Sequence, residues 1–203
     1  FIGSVLAQSP GKPAAKAGTK PAAKAQGIPP TAENVPYGSH PRQVLDFWQA
    51  KSDRPTPVVF CIHGGGWVNG DKSSYRNQAP IFLKEGISVV AINYRMVTEA
   101  HEKGIEPPVK WPIADAARAL QFVRSKAKEW NLDKTRIAAT GGSAGGCSSL
   151  WLLYHDDLAD PKSDDPVARE STRLFCAAVN GAQTTLDPKP LREWMPNARY
   201  GGH

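Results

Sequence analysis

The residues best suited to covalent chemistry lie in the stretch Thr140–Cys147, which reads Thr-Gly-Gly-Ser-Ala-Gly-Gly-Cys. It contains the pattern Gly-x-Ser-x-Gly centred on Ser143, between a short, mostly apolar run at 136–139 and a helix-like segment at 148–154. In a strand–turn–helix context this pattern places a serine hydroxyl on a sharp turn, where it can attack a carbonyl carbon. The flanking glycines allow the strand and the helix to approach closely. Because the pattern is short, a glycine-rich turn with an idle serine is the alternative interpretation.

A second glycine-rich motif, His63-Gly64-Gly65-Gly66-Trp67, follows the continuous apolar run Val58–Ile62. Three consecutive glycines allow a loop to pass close to a reacting carbonyl and to direct its backbone amides inward. The motif stands eighty residues before Ser143, and each motif follows a predicted strand. The pair therefore predicts a serine nucleophile with an oxyanion hole, as in a serine hydrolase.

Alternating strands and helices determine the predicted fold. Strands are predicted at 43–50, 58–62, 87–93, 136–139 and 174–179, and helices at 75–85, 112–127 and 148–154. After Tyr94-Arg95, a long loop is predicted to extend to Trp111. Such alternation is typical of a parallel sheet covered on both faces. We therefore predict an α/β fold with a mostly parallel sheet and helices on both of its faces.

The sequence resembles the α/β-hydrolase esterases, in the branch of the hormone-sensitive-lipase-like enzymes and the bacterial carboxylesterases of the acetyl- and feruloyl-esterase type. The resemblance covers roughly residues 40–200, and the matching motifs are 63–67, Gly70-Asp71-Lys72, Asn93-Tyr94-Arg95, Pro112 with Asp115, and 141–146. Two departures favour the acetyl- and feruloyl-esterase type. Residues 96–99 lack the Leu-Ala-Pro-Glu usual in the hormone-sensitive-lipase branch, and Gly142 precedes the serine where that branch has aspartate.

The resemblance implies roles for five residues. Ser143 would be the nucleophile that forms an acyl-enzyme, and the amides of Gly65, Gly66 and Ala144 would bind the oxyanion. His63 would support the glycine loop by hydrogen bonds and would not be the catalytic base. The family implies no metal and no organic cofactor, and a small-molecule or polysaccharide ester as the substrate. A peptidase or amidase on the same fold and a non-catalytic binding protein are the alternatives.

Other motif residues have simpler explanations. Asp115 either orients neighbours near the site or lies in the first turn of a helix, where the helix dipole alone favours a carboxylate, and the second interpretation is preferred. Trp67 either lines the substrate cleft or packs in the core. Asp71 and the pair Tyr94-Arg95 are predicted to brace loops and strand ends.

The catalytic acid and base are not found in the sequence as it stands. In this fold the acid and then the histidine follow the serine along the chain, so both are expected beyond residue 203. The chain would then be a partial domain without its C-terminal strands and helices, with little activity and an unpaired sheet edge. Asp187 is the least unsuitable acid, and neither His155 nor His203 is assigned as the base.

The beginning of the chain has a different composition from the rest. Residues 1–7 resemble the end of a secretory signal peptide, with a frayed apolar terminus as the alternative. Residues 8–33 are a Pro/Ala/Lys-rich linker in which Pro-Ala-Ala-Lys-Ala occurs twice. The partial α/β-hydrolase domain is predicted at 34–203, in a protein that is secreted or lies in the periplasm or cell envelope.

Charge and cysteine content exclude some classes of partner. The net charge is +6, but residues 1–27 contain four lysines and no acid, so the rest carries only +2. No basic face for nucleic acid is predicted, and no apolar run approaches the roughly 18 residues of a membrane-spanning helix. The three cysteines, Cys61, Cys147 and Cys176, lie in segments predicted to be buried, which favours free core thiols over a disulfide or a metal site.

Overall fold

Six strands form one mixed sheet in the computed structural model, which describes residues 27–184, 187 and 189. The strands are β1 (Ala32–Pro36), β2 (Val44–Trp48), β3 (Thr56–Ile62), β4 (Ser88–Ile92), β5 (Leu132–Gly142) and β6 (Cys176–Asn180). Their order across the sheet is β1-β2-β4-β3-β5-β6. The pairs β4–β3, β3–β5 and β5–β6 are parallel, whereas β2 is antiparallel to both β1 and β4. The predicted α/β fold with a mostly parallel sheet is confirmed.

Helices cover both faces of this sheet. They are a 3-10 helix (Lys72–Tyr75), α1 (Ala79–Lys84), α2 (Val97–Glu102), α3 (Lys110–Ser125) and α4 (Ala144–Tyr154). Leu120 of α3 and Leu152 of α4 belong to the larger core cluster, on one face. Tyr75 and Ala79 belong to a second cluster, on the opposite face.

The position of β3 in the centre of the sheet explains the continuous apolar run at 58–62. Val58, Phe60 and Ile62 belong to the larger cluster, whereas Val59 and Cys61 belong to the second one. Successive side chains of a strand point to opposite faces of the sheet. Because both faces are covered here, every position from Val58 to Ile62 is buried, as is typical of strands in parallel sheets.

Two predicted segments differ in detail from the structure. The helix predicted at 75–85 divides into the 3-10 turn and α1, because Pro80 has no N–H to continue a helix from the preceding turn. The loop predicted between Arg95 and Trp111 contains α2. Since Ala100 is the one buried residue of this six-residue helix, the apolar periodicity that indicates a helix is missing.

The prediction that all three cysteines are buried is wrong for Cys176. Cys61 and Cys147 are buried, but Cys176 is exposed. It lies on β6, the last strand in the described part of the sheet, where the residues alternate between exposed and half-buried. An apolar run of this length does not reveal whether both faces of the strand are covered.

The described chain begins inside the segment predicted as linker. Trp48 donates its indole N–H to the carbonyl oxygen of Ile28 at 3.0 Å, and β1 begins at Ala32, two residues before the predicted boundary. The predicted signal remnant at 1–7 lies outside the described residues. In the described part of the chain, none of the helices has the length and apolar character needed to span a membrane.

Candidate active site

Ser143 forms the turn between β5 and α4 in a strained backbone conformation. Its φ is 52° and its ψ is −124°. A positive φ is unfavourable for a residue with a Cβ and costs on the order of 1–3 kcal/mol. The Ser143 carbonyl accepts a hydrogen bond from Cys147 N at 2.9 Å, and its amide donates to the carbonyl of Asn180 at 3.0 Å. The helix and the neighbouring strand β6 therefore hold the strained residue from both sides.

Glycines beside Ser143 allow α4 to approach the end of β3. A Cβ on Gly145 would lie 2.0 Å from the carbonyl oxygen of Ile62, and a Cβ on Gly141 would lie 2.5 Å from the same atom. Backbone atoms cannot yield to a contact this short without moving the strand or the helix. The close approach predicted from the flanking glycines is therefore present.

The glycine loop after β3 lies next to this turn. Gly65 and Gly66 have left-handed φ angles of 105° and 62°. A Cβ on Gly65 would lie 2.2 Å from Asn69 Oδ1, so the loop requires glycine there for space as well as for conformation. A Cβ on Gly64 would lie 3.6 Å from Ser143 Cβ. The structure thus brings the two predicted motifs together.

Trp67 packs in the core and does not line a cleft. Its side chain is 1% exposed, and Nε1 donates to Ser148 Oγ at 3.1 Å, on the helix that follows Ser143. The Trp67 carbonyl accepts a hydrogen bond from Val97 N of α2 at 3.0 Å. The far side of the glycine loop is therefore attached to α2 and α4.

His63 is buried at the start of the loop and contacts the loop backbone. Its Nδ1 lies 2.8 Å from the carbonyl oxygen of Gly64, and its ring stacks on Tyr94 with 4.3 Å between centroids. Burial lowers the pKa of His63 to about 4; the Gly64 carbonyl opposes this shift, and the charge of Arg42 adds to it. At neutral pH the ring is therefore uncharged. Its Nδ1 carries the proton that it donates to the Gly64 carbonyl.

The next residues, Gly70-Asp71-Lys72, anchor the other end of the loop. Asn93 Nδ2 donates to Asp71 Oδ2 at 2.7 Å, and Lys72 N donates to Asn93 Oδ1 at 2.7 Å. Burial opposes ionisation of Asp71, but hydrogen bonds from Asn93 and Ser73 lower its pKa to about 2. The predicted bracing role of Asp71 agrees with these contacts.

Asp115 is a buried acceptor, and the explanation by the helix dipole is wrong. It lies beyond the first turn of α3 and is 1% exposed. Its carboxylate accepts hydrogen bonds from Arg95 N at 2.8 Å, from the Arg95 guanidinium with a shortest distance of 2.6 Å, and from Gln43 Nε2 at 2.8 Å. Asp115 therefore ties the end of β4 and the segment before β2 to α3. None of these hydrogen bonds reaches Ser143.

Asn180 is a site neighbour that the sequence did not reveal. It ends β6 and accepts the hydrogen bond from Ser143 N, and its Oδ1 would lie 2.5 Å from a Cβ on Gly142. A cavity of about 480 Å³ beside the serine turn is lined by His63, Gly64, Gly142 and Asn180, among others. No motif indicates Asn180, because its position depends on the pairing of β6 with β5.

No described imidazole is paired with Ser143. In residues 27–184, 187 and 189, the Ser143 hydroxyl makes no hydrogen bond. His155 follows α4, whose 11 residues place it about 16 Å along the helix from the serine turn, and it stacks on Trp151. Asp187 is exposed and accepts a hydrogen bond from Lys189 N at 3.0 Å. His203 lies outside the described residues.

The described residues contain no cluster suited to a metal ion. In that part of the chain, no group of three or more histidine, cysteine, aspartate or glutamate side chains could hold one.

The mostly parallel sheet, with a strained serine between β5 and α4, places the chain in the α/β-hydrolase fold class. Residues 45–173, more than half of the chain, match the sequence model of the BD-FAE family. The chain belongs to this family.

Several proteins with similar sequences or structures are named as ester hydrolases or esterases. The "Probable carboxylic ester hydrolase LipM" of Mycobacterium tuberculosis is 38% identical over 152 residues, which cover 71% of this chain and 32% of LipM. The chain thus spans about a third of the length of that relative. The acetyl ester-xyloside bifunctional hydrolase of Caldicellulosiruptor lactoaceticus is similar with a TM-score of 0.67 and 27% identity, over 79% of this chain and 60% of that one. Thermogutta terrifontis esterase 2 phosphonylated by cyclosarin gives a TM-score of 0.63 and 27% identity, over 81% and 61% of the two chains.

Proposed function

We propose that the protein hydrolyses carboxylic esters through an acyl-enzyme on Ser143. The observation that carries this proposal is the strained φ of 52° at Ser143, beside a loop of three glycines. Backbone strain of this kind persists where the surrounding structure enforces it, and it is concentrated at active sites. The ester hydrolases among the relatives support the same reaction.

The reaction follows from the chemistry of an activated serine. The Ser143 oxygen attacks the ester carbonyl, and the tetrahedral intermediate collapses with loss of the alcohol. Water then attacks the acyl-enzyme and releases the acid. We assign the amides of Gly65, Gly66 and Ala144 to the oxyanion. Gly65 and Gly66 belong to the loop that lies beside Ser143. Ala144 is the first residue of α4, where the amide has no partner within the helix and the helix dipole favours negative charge.

The general base and its orienting acid belong to parts of the protein other than the described residues. A serine hydroxyl is a weak nucleophile until a base accepts its proton. His63 does not serve as this base, because its Nδ1 is bound to the Gly64 carbonyl and its Nε2 faces the guanidinium of Arg42 at 3.4 Å. We therefore give His63 the role of supporting the glycine loop.

The substrate class proposed is an ester of a short acyl group, or of an acetyl or feruloyl group carried by a plant or algal polysaccharide. A structural relative named as an acetyl ester-xyloside hydrolase supports the acetyl ester. Export from the cytoplasm, which such a substrate requires, stays a prediction from residues 1–7.

Comparing two acetyl compounds tests the reaction class. The full-length protein should hydrolyse p-nitrophenyl acetate and leave p-nitroacetanilide unchanged, since the two share the acetyl group and differ in the leaving group. Release of acetate from acetylated xylan, measured beside a long-chain triglyceride, tests the substrate class. Rapid anilide cleavage would indicate an amidase, and no turnover of either compound would indicate a binding protein. Turnover confined to the triglyceride would contradict the polysaccharide ester.

A further inference from the structure

Arg42 lies in the turn before β2, far from either glycine motif in sequence, and contacts the glycine loop. Its Nε donates to the carbonyl of Tyr94 at 2.8 Å, and its Nη2 donates to the carbonyl of Gly70 at 3.0 Å. The same Nη2 lies 3.4 Å from His63 Nε2. One half-buried guanidinium therefore joins the end of β4 to both ends of the loop.

These contacts determine which nitrogen of His63 carries the proton. Nδ1 faces an acceptor, the Gly64 carbonyl at 2.8 Å, and is therefore the donor. Nε2 faces a guanidinium, which can only donate, and is therefore the acceptor. The Tyr94 hydroxyl donates its proton to the carbonyl of His63 at 2.8 Å, so it does not compete as a donor to Nδ1.

The tautomer of His63 matters because it sets the direction of a loop amide. A trans peptide bond is planar, with its C=O and N–H pointing in opposite directions. When His63 Nδ1 holds the Gly64 carbonyl, the N–H of Gly65 must point away from the imidazole. This amide is one of those assigned above to the oxyanion.

We propose that Arg42 is a positioning residue for the oxyanion amides, acting through His63 and through the carbonyl of Gly70. The proposal rests on the function proposed above. Without the guanidinium, His63 Nε2 loses its donor, and the other tautomer becomes accessible. In that tautomer Nδ1 carries no proton, so its lone pair faces the Gly64 carbonyl oxygen and repels it. The peptide group between Gly64 and Gly65 then rotates, and the N–H of Gly65 changes direction.

The charges around His63 affect its pKa, and a change in this pKa would distinguish the proposed role of Arg42 from a packing role. Arg42 disfavours a protonated imidazole and Asp71 favours it, while burial disfavours it most. Tyr94, stacked on the ring, stays neutral because burial raises its pKa well above the ordinary value. Removing Arg42 should therefore raise the pKa of His63 from about 4 toward the 6.5 of an exposed imidazole.

The test compares Arg42→Gln, Arg42→Lys and the control Arg118→Gln in the full-length protein. Arg118 is also half-buried and joins two segments, through its ion pair with Asp165, but it lies on α3. Turnover of p-nitrophenyl acetate is expressed per active site titrated with a phosphonate ester, so that unfolded protein is not counted. The pKa of His63 is read from the ¹³Cε1 signal of labelled histidine, which the variant His63→Asn identifies.

We expect Arg42→Gln to lower kcat about 10- to 100-fold, a part of the loss seen when an oxyanion donor is removed, with KM changed less than about twofold. Arg42→Lys keeps the positive charge but loses the planar guanidinium that donates to the carbonyls of Tyr94 and Gly70 at once. Its loss of kcat should therefore be smaller than that of Arg42→Gln. Arg118→Gln should leave kcat and the pKa of His63 unchanged. Wild-type kcat and an unchanged His63 titration in Arg42→Gln would overturn the proposal.

If the proposed function itself were wrong, the measurements would give a different result from a failure of the proposal for Arg42. If Ser143→Ala turned over the ester at the wild-type rate, the assignment of the site would fail whatever Arg42 does. The His63 titration would still show whether Arg42 controls the imidazole, because it does not depend on turnover.

Discussion

Replacing Ser143 with alanine is expected to lower kcat of the full-length protein for p-nitrophenyl acetate by about 10⁴- to 10⁶-fold. The variant keeps the glycine loop and the start of α4, so the residual rate reflects binding and oxyanion stabilisation without a covalent route. Because alanine also has a Cβ, the left-handed backbone at this position stays equally strained, and the fold should not change.

The matched control is Ser149→Ala, on the same helix. The Ser149 hydroxyl is buried and donates to the carbonyl of Gly145 at 2.8 Å, within α4. Such a bond to the preceding turn adds little to helix stability. Its loss should change kcat by less than about threefold, in line with small effects away from the reacting atoms. Ester turnover by Ser143→Ala within tenfold of the wild type would exclude Ser143 as the nucleophile.

Replacing Lys72 with methionine is expected to lower the free energy of unfolding by about 3–5 kcal/mol. Lys72 Nζ lies 2.7 Å from Asp46 Oδ1, and the two side chains are 5% and 0% exposed. The second oxygen, Asp46 Oδ2, has no hydrogen bond within the described part of the chain and lies 3.7 Å from the guanidinium of Arg76, a longer ion pair that the substitution leaves in place. Methionine would fill the space of the lysine stem but leave a buried carboxylate without its nearest cation.

Urea unfolding of the full-length protein measures this loss. Lys126→Met is the control, because Lys126 forms a more exposed ion pair with Glu129 that should contribute about 1 kcal/mol or less. The double variant Lys72→Met with Asp46→Asn removes both charges and should recover part of the stability. Equal losses in Lys72→Met and Lys126→Met would show that the buried pair does not hold the 3-10 turn against β2.

The strands and the two glycine motifs could be predicted because their signals are local. The apolar run at 58–62 is long enough to identify β3, and a Gly-x-Ser-x-Gly pattern after a strand identifies the turn at Ser143. The left-handed angles at Ser143 and Gly65 follow from the same patterns. The predicted strands and the serine turn agree with the structure to within a few positions.

The supporting contacts could not be predicted, because they join distant parts of the chain. Arg42 reaches Tyr94 across 52 residues, and Gln43 reaches Asp115 across 72. In both pairs, no local sequence pattern around one residue indicates its partner. The interpretation of Asp115 by the helix dipole fails for this reason, since a place near a helix start has a local explanation, whereas its partners Arg95 and Gln43 are remote in sequence. Cys176 shows the same limit, since burial of a strand depends on its neighbours in the sheet.

Covalent trapping tests the central claim most directly. The full-length protein is treated with a p-nitrophenyl phosphonate ester, the release of p-nitrophenol is counted, and the modified peptide is located by mass spectrometry. A structural relative that exists in a phosphonylated form makes this reagent class a suitable probe. We predict one equivalent of p-nitrophenol, complete loss of ester turnover and a single adduct on Ser143. Inactivation with the adduct on another residue, or full modification of Ser143 with turnover unchanged, would contradict the account.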